Sequence, residues 1–147
     1  MPSPFVVAVD VGGTSIKAAV IDDHGRPVRI ESVATPVSHG PDAVVEAVRE
    51  VAGALCGPDV AAVGVVIPGV VDDGVARYAA NLGWRDVPLR DLLAAQLSVP
   101  VVVDHDVRAA GLAERTLGAA RDVPDCLIVV IGTGIAAVAV SGGVHLH

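Results

Sequence analysis

Apolar positions fall first in short runs. Residues 5–9 and 18–21 are apolar, carry Val and Ile, and are too short for helices. They predict strand, turn, strand about Gly12-Gly13. Turn chemistry at Asp22-Asp23-His24-Gly25 precedes a looser alternation over 28–34, which predicts a third strand and an antiparallel meander. The period then changes. Val44, Val48, Val51 and Leu55 recur at helical spacing, with Glu46, Arg49 and Glu50 on the other side, so 41–55 is predicted helical. Pro41 suits the first turn, Asp42 the positive end of the dipole, and Gly57 the stop. Residues 60–67 are almost continuously apolar, which predicts a strand covered on both faces and closed by Pro68-Gly69.

Residues 78–85 read as a loop around Asn81-Leu82-Gly83-Trp84, where the sole Trp is either packing or a ligand contact. Leu89, Leu92, Leu93 and Leu97 mark one face of a second helix over 88–97. A buried strand is expected over 100–103. A third helix follows over 107–117, with Ala110, Ala113 and Leu117 inward and Gly118 as its stop. The polar stretch 119–125 reads as a hinge or domain boundary. Residues 126–131, Gly132-Thr133-Gly134 and 135–140 repeat the opening strand–turn–strand unit. The domain reading is one complete lobe over 1–120 and the first strands of a second over 121–147. A lone hairpin is not a domain, so the chain reads as a truncated fragment whose bare strand edges invite pairing with another copy.

Composition narrows the picture. Hydrophobic residues make up 52% of the chain but aromatics only 2%, so the core rests on Val, Ala, Leu and Ile in close backbone packing. The net charge is −7 and Lys17 is the single lysine, which argues against a nucleic-acid surface. Cys56 and Cys126 are expected as buried free thiols in a reducing compartment. No basic leader is visible, and the uncharged stretch 126–144 suits two strands and a turn better than a membrane span. The expectation is a cytoplasmic protein without a nucleic-acid or membrane partner.

Two places carry candidate chemistry. Gly12-Gly13 brings backbone N–H groups close to a ligand, Thr14 adds a hydroxyl, Lys17 a cation and Asp10 a carboxylate. That set suits a nucleotide's phosphates and their magnesium. The same residues also read as a plain hairpin turn. Asp104-His105-Asp106 lies where a strand meets a helix, with Asp106 expected as the N-cap. A carboxylate there can accept a proton from an attacking alcohol, or it can be only a cap. His105 is either a structural histidine or a ligand contact. Gly132-Thr133-Gly134-Ile135-Ala136-Ala137 has the spacing of a dinucleotide fingerprint, but a Val-containing strand follows where that motif needs a helix.

Five segments in order carry a resemblance: Asp10-Val-Gly-Gly-Thr14-Ser-Ile-Lys17, Gly64-Val-Val-Ile-Pro68-Gly69, Asn81-Leu-Gly-Trp84, Asp104-His-Asp106-Val-Arg-Ala-Ala and Gly132-Thr-Gly134. Together they resemble the ROK family of bacterial glucokinases, related sugar kinases and sugar-responsive repressors, over the first half of a typical member. The resemblance implies an α/β, ribonuclease H-like lobe of the actin-like ATPase superfamily, with a mixed sheet and flanking helices, plus the first hairpin of a second lobe. It implies an ATP- and Mg2+-dependent sugar kinase acting on a hexose or N-acetylhexosamine, inactive as a fragment. The alternative it leaves is a sugar sensor without kinase activity. It further implies phosphate turns at Gly12, Gly13 and Thr14, with Lys17 nearby, and at Gly132, Thr133 and Gly134. Asp10 would reach magnesium, Asp106 would be the general base, and Gly69, Asn81, His105 and Asp106 would contact the sugar. The family's zinc site belongs to a segment outside this span. Members commonly have Asn where His105 and Arg108 stand, and Gly where Ala136 and Ala137 stand.

Overall fold

A computed structural model describes residues 4–132 and 134–146. The chain forms two compact units, one up to Asp104 and one from His105 onward. The domain boundary expected at residue 120 falls inside the second unit.

The first unit opens with β1 (Phe5–Val11), β2 (Ser15–Ile21) and β3 (Pro27–Ala34), then α1 (Pro41–Leu55) and β4 (Val60–Ile67). Next come β5 (Val70–Asp72), β6 (Val75–Ala79), β7 (Trp84–Val87), α2 (Leu89–Leu97) and β8 (Val101–His105). The main sheet has the order β3-β2-β1-β4-β8. Strands β1, β2 and β3 pair antiparallel, and β1 pairs parallel with β4. The predicted meander and first helix are therefore present.

Period-2 alternation sets the core. Strand β1 buries Val7, Val9 and Val11, and β2 buries Ile16, Ala18 and Val20. Helix α1 packs against both strands and buries Val44, Val48, Val51 and Leu55. Strand β4 buries Val63, Val65 and Ile67, whereas Gly64 on its other face is exposed. The expectation of a strand covered on both faces does not hold within this unit. Likewise β8 buries Val101 and Val103 but leaves Val102 64% exposed. Continuous apolar sequence marked these strands without saying which face a helix covers. Helix α2 buries Leu89, Leu93 and Leu97 and leaves Leu92 partly exposed.

Residues 78–85, read as a loop, hold the end of β6, a short 3-10 turn at Ala80–Leu82 and the start of β7, within a second sheet of order β5-β6-β7. Its strands are three to five residues long and alternate with Asp and Arg side chains that face water. Such short, charged strands leave little hydrophobic pattern to read. Trp84 anchors this sheet. It is 1% exposed, and its Nε1–H donates to the Pro41 carbonyl at 3.0 Å, at the start of α1. Of its two readings, packing is the one observed.

The second unit holds α3 (Asp106–Leu117) and the antiparallel strands β9 (Cys126–Ile131), β10 (Ile135–Ser141) and β11 (Val144–His145). The predicted repeat hairpin is β9–β10. The inward face of α3 differs from expectation: Val107 and Gly111 are buried, while Ala113 is exposed and Leu117 is 83% exposed. Gly111 explains the rotation. A Cβ there would lie 2.6 Å from Val138 Cγ1, so the helix meets β10 through a residue without a side chain. Cys56 and Cys126 are free thiols but only half-buried. Among the described residues, no helix is long and apolar enough to cross a membrane.

Candidate functional site

The glycine turn joins β1 to β2. Neither Gly12 nor Gly13 has a positive φ, so their use here is space rather than backbone handedness. The Gly12 N–H donates to the Ser15 carbonyl at 2.9 Å, and a Cβ on Gly12 would stand 3.1 Å from that oxygen. A Cβ on Gly13 would stand 3.2 Å from the Asn81 Cβ. The turn and the Asn81 segment therefore pack directly on one another. Among the described residues, the Gly13 and Thr14 N–H groups have no hydrogen-bond acceptor, and the Thr14 side chain is exposed. Two open amides beside a hydroxyl make a small concave donor set for an anion.

Asp10 and Lys17 are direct cross-strand partners in the β1–β2 register. Residues so paired share a face of the sheet. Both are exposed, two positions before and three after the turn over residues 12–14. A single carboxylate at a strand end fits magnesium, which takes one or two protein oxygens and fills its shell with water and phosphate.

Gly69 closes β4 with φ +99°, a conformation that favours glycine. A Cβ on it would overlap the Tyr78 carbonyl oxygen and lie 2.9 Å from the Ala79 Cα. The end of β4 thus presses on the end of β6, two residues before Asn81. Three of the predicted elements, the glycine turn, Gly69 and Asn81, gather in the first unit. Sequence reasoning missed a fourth member, Thr35. It is the buried polar residue of the described chain, at 7% exposure. Its Oγ1–H donates to the Gly12 carbonyl at 2.6 Å, and its N–H donates to the Thr14 carbonyl at 2.9 Å. A Thr-Pro pair after a strand was the one available signal, and it read as a connector.

His105, Asp106, Gly132 and Gly134 belong to the second unit. The helix α3 begins at Asp106, with His105 in the N-cap position and no side-chain cap from it. Asp106 is thus the first helical residue, one place beyond the expected cap. Its Oδ1 still accepts the Val107 N–H at 2.7 Å, as a capping carboxylate does. The same oxygen lies 3.3 Å from His105 Nε2, an ion pair when the imidazole is protonated. The Asp106 side chain is 43% exposed at the positive end of the helix dipole, so it is open to solvent. In the hairpin, the Gly132 N–H donates to the Gly134 carbonyl at 2.8 Å, and neither glycine has a neighbour where a Cβ would stand. Thr133 lies outside the described residues.

Aspartates elsewhere do structural work. Asp125 Oδ1 accepts the Gly142 N–H at 2.8 Å and the Ser141 hydroxyl at 2.9 Å, tying the entry of β9 to the end of β10. Those bonds, the Gly142 N–H foremost, hold its carboxyl below the ordinary 3.8.

The ROK family model matches residues 6–147. A glucokinase from Streptomyces coelicolor is 34% identical over 134 residues, covering 89% of this chain and 42% of that protein. A polyphosphate glucokinase from Mycobacterium leprae is 37% identical over 142 residues, covering 92% of this chain and 43% of that protein. The crystal structure of a ROK family glucokinase from Streptomyces griseus, in complex with glucose and AMPPNP, superposes with a TM-score of 0.83 at 35% identity. That superposition covers 97% of this chain and 46% of the other. The chain thus spans less than half the length of these relatives. It has the mixed α/β architecture of the actin-like ATPase fold, and it belongs to the ROK family.

Proposed function

We propose that the whole protein carrying this chain is an ATP-dependent sugar kinase that moves the γ-phosphoryl group of ATP to a hexose hydroxyl. One observation supports this most: the turn that carries the open amides of Gly13 and Thr14 packs on Asn81 at Gly13. An anion cradle and an exposed amide side chain that can bind hydroxyls are then neighbours, as a phosphate donor and a sugar acceptor require. Gly12, Gly13 and Thr14 hold phosphate oxygens. Gly132, Thr133 and Gly134 bind further phosphate oxygens, and Lys17 adds positive charge. Asn81, Gly69 and His105 orient the sugar.

Asp106 takes the proton of the attacking hydroxyl. Its partial exposure leaves an oxygen available, and the Val107 N–H fixes the carboxylate's direction. Asp10 would hold Mg2+, which when bound supplies positive charge against the phosphate oxygens. Phosphoryl transfer of this kind rests mainly on positioning and charge stabilisation.

The test offers glucose, N-acetylglucosamine and N-acetylmannosamine with either ATP or polyphosphate to the whole protein. Phosphorylation of one of these sugars with ATP is the expected result. Turnover with polyphosphate alone would overturn the choice of donor. Sugar binding by calorimetry with no turnover from either donor would overturn the kinase reading in favour of a sensor.

A further inference from the structure

We propose that Thr35 is the positioning residue that aims the first phosphate turn. The inference rests on the kinase reading above and adds a residue to it. A peptide unit is planar and trans, so its C=O and the following N–H point in opposite directions. The Gly12 carbonyl and the Gly13 N–H belong to one such unit. Thr35 Oγ1–H donates to that carbonyl at 2.6 Å, which fixes the Gly13 N–H pointing away from Thr35. The unit is flanked by glycine on both sides and lacks side-chain barriers to rotation. Without the hydroxyl, the plane is free to turn and the Gly13 donor loses its aim. The Thr35 N–H donates to the Thr14 carbonyl at 2.9 Å and holds the far end of the turn. Burial of Thr35 to 7% exposure keeps water from replacing either bond.

Thr35→Val keeps the shape and the backbone donor and removes only the hydroxyl. Thr35→Ser keeps the hydroxyl. In the whole protein, Thr35→Val is expected to raise KM for ATP about tenfold, the worth of one lost buried hydrogen bond. KM for the sugar should stay within about twofold, and Thr35→Ser should restore most of the ATP affinity. A merely structural role would move both KM values together and would not separate Val from Ser. Hydrogen exchange at the Gly12 and Thr35 amides of the 147-residue chain, which donate to the Ser15 and Thr14 carbonyls, gives a readout that needs no activity. It should quicken in Thr35→Val and not in Thr35→Ser. Equal ATP KM in Thr35→Val and the parent, or unchanged amide exchange, would overturn the role of Thr35. An unsubstituted protein that turns over no sugar would overturn the kinase reading instead, and the exchange experiment would still decide how the turn is held.

Discussion

Gly69→Ala probes the packing that holds Asn81 beside the glycine turn. Two costs add. A φ of +99° in an L residue costs about 1–2 kcal/mol. The new Cβ would overlap the Tyr78 carbonyl and stand 2.9 Å from the Ala79 Cα. Both neighbours are backbone of the central strand β6, so relief requires the strand itself to shift. Overpacking of that kind costs about 1–3 kcal/mol. The total is about 2–5 kcal/mol, a large share of a typical domain's stability of about 5–15 kcal/mol. With a urea slope of about 2 kcal/mol per molar, the midpoint should fall by about 1–2.5 M. Trp84 is the single Trp, buried in this unit, so its fluorescence reports the unfolding directly. Gly64→Ala is the control, because its φ is not positive and nothing lies within 4 Å of the added Cβ. It should move the midpoint by less than about 0.3 M. A Gly69→Ala midpoint no different from that of Gly64→Ala would refute the packing argument.

Three further outcomes follow from the same structure. Trp84→Phe loses the bond to the Pro41 carbonyl and part of a buried ring, and should cost about 1–3 kcal/mol in calorimetric unfolding of the first unit. Gly111→Ala gains helix propensity of about 1 kcal/mol but drives a Cβ onto Val138 Cγ1, so overpacking should win and amide exchange in β10 should quicken. The Asp125 carboxyl is held low in the folded state by the Gly142 N–H and the Ser141 hydroxyl, so its contribution is full above the unfolded-state pKa and disappears as pH falls through the folded value. Asp125→Asn should therefore flatten the loss of β10–β11 amide protection in acid, below about pH 4, and leave its pH dependence near neutrality unchanged.

Much of the fold was legible because its signals were local. The helix over Pro41–Leu55 and the strand over Val60–Ile67 have the bounds that hydrophobic period, Pro41 and the Pro68-Gly69 stop imply. The sheet β5-β6-β7 was not legible, because strands of three to five residues with Asp72, Arg77, Arg85 and Asp86 facing water lack a period. The inward face of α3 was misread for a related reason. Gly111 scores as a neutral residue in any hydrophobic pattern, yet it is the point of closest approach to β10. In the site, Gly12, Gly13, Gly69 and Asn81 were readable from residue type and order. Thr35 was not, because its value lies in bonds to carbonyls twenty-one and twenty-three positions earlier in the chain, which one-dimensional spacing does not show.

Steady-state kinetics of Asp106→Asn in the whole protein test the central claim most directly. Asparagine keeps the size and can still accept the Val107 N–H through its amide oxygen, but it cannot take a proton from a hydroxyl. The account predicts that kcat falls by about a thousandfold, as loss of a general base does, with sugar affinity changed by no more than about threefold. Near-parental kcat in Asp106→Asn would contradict it.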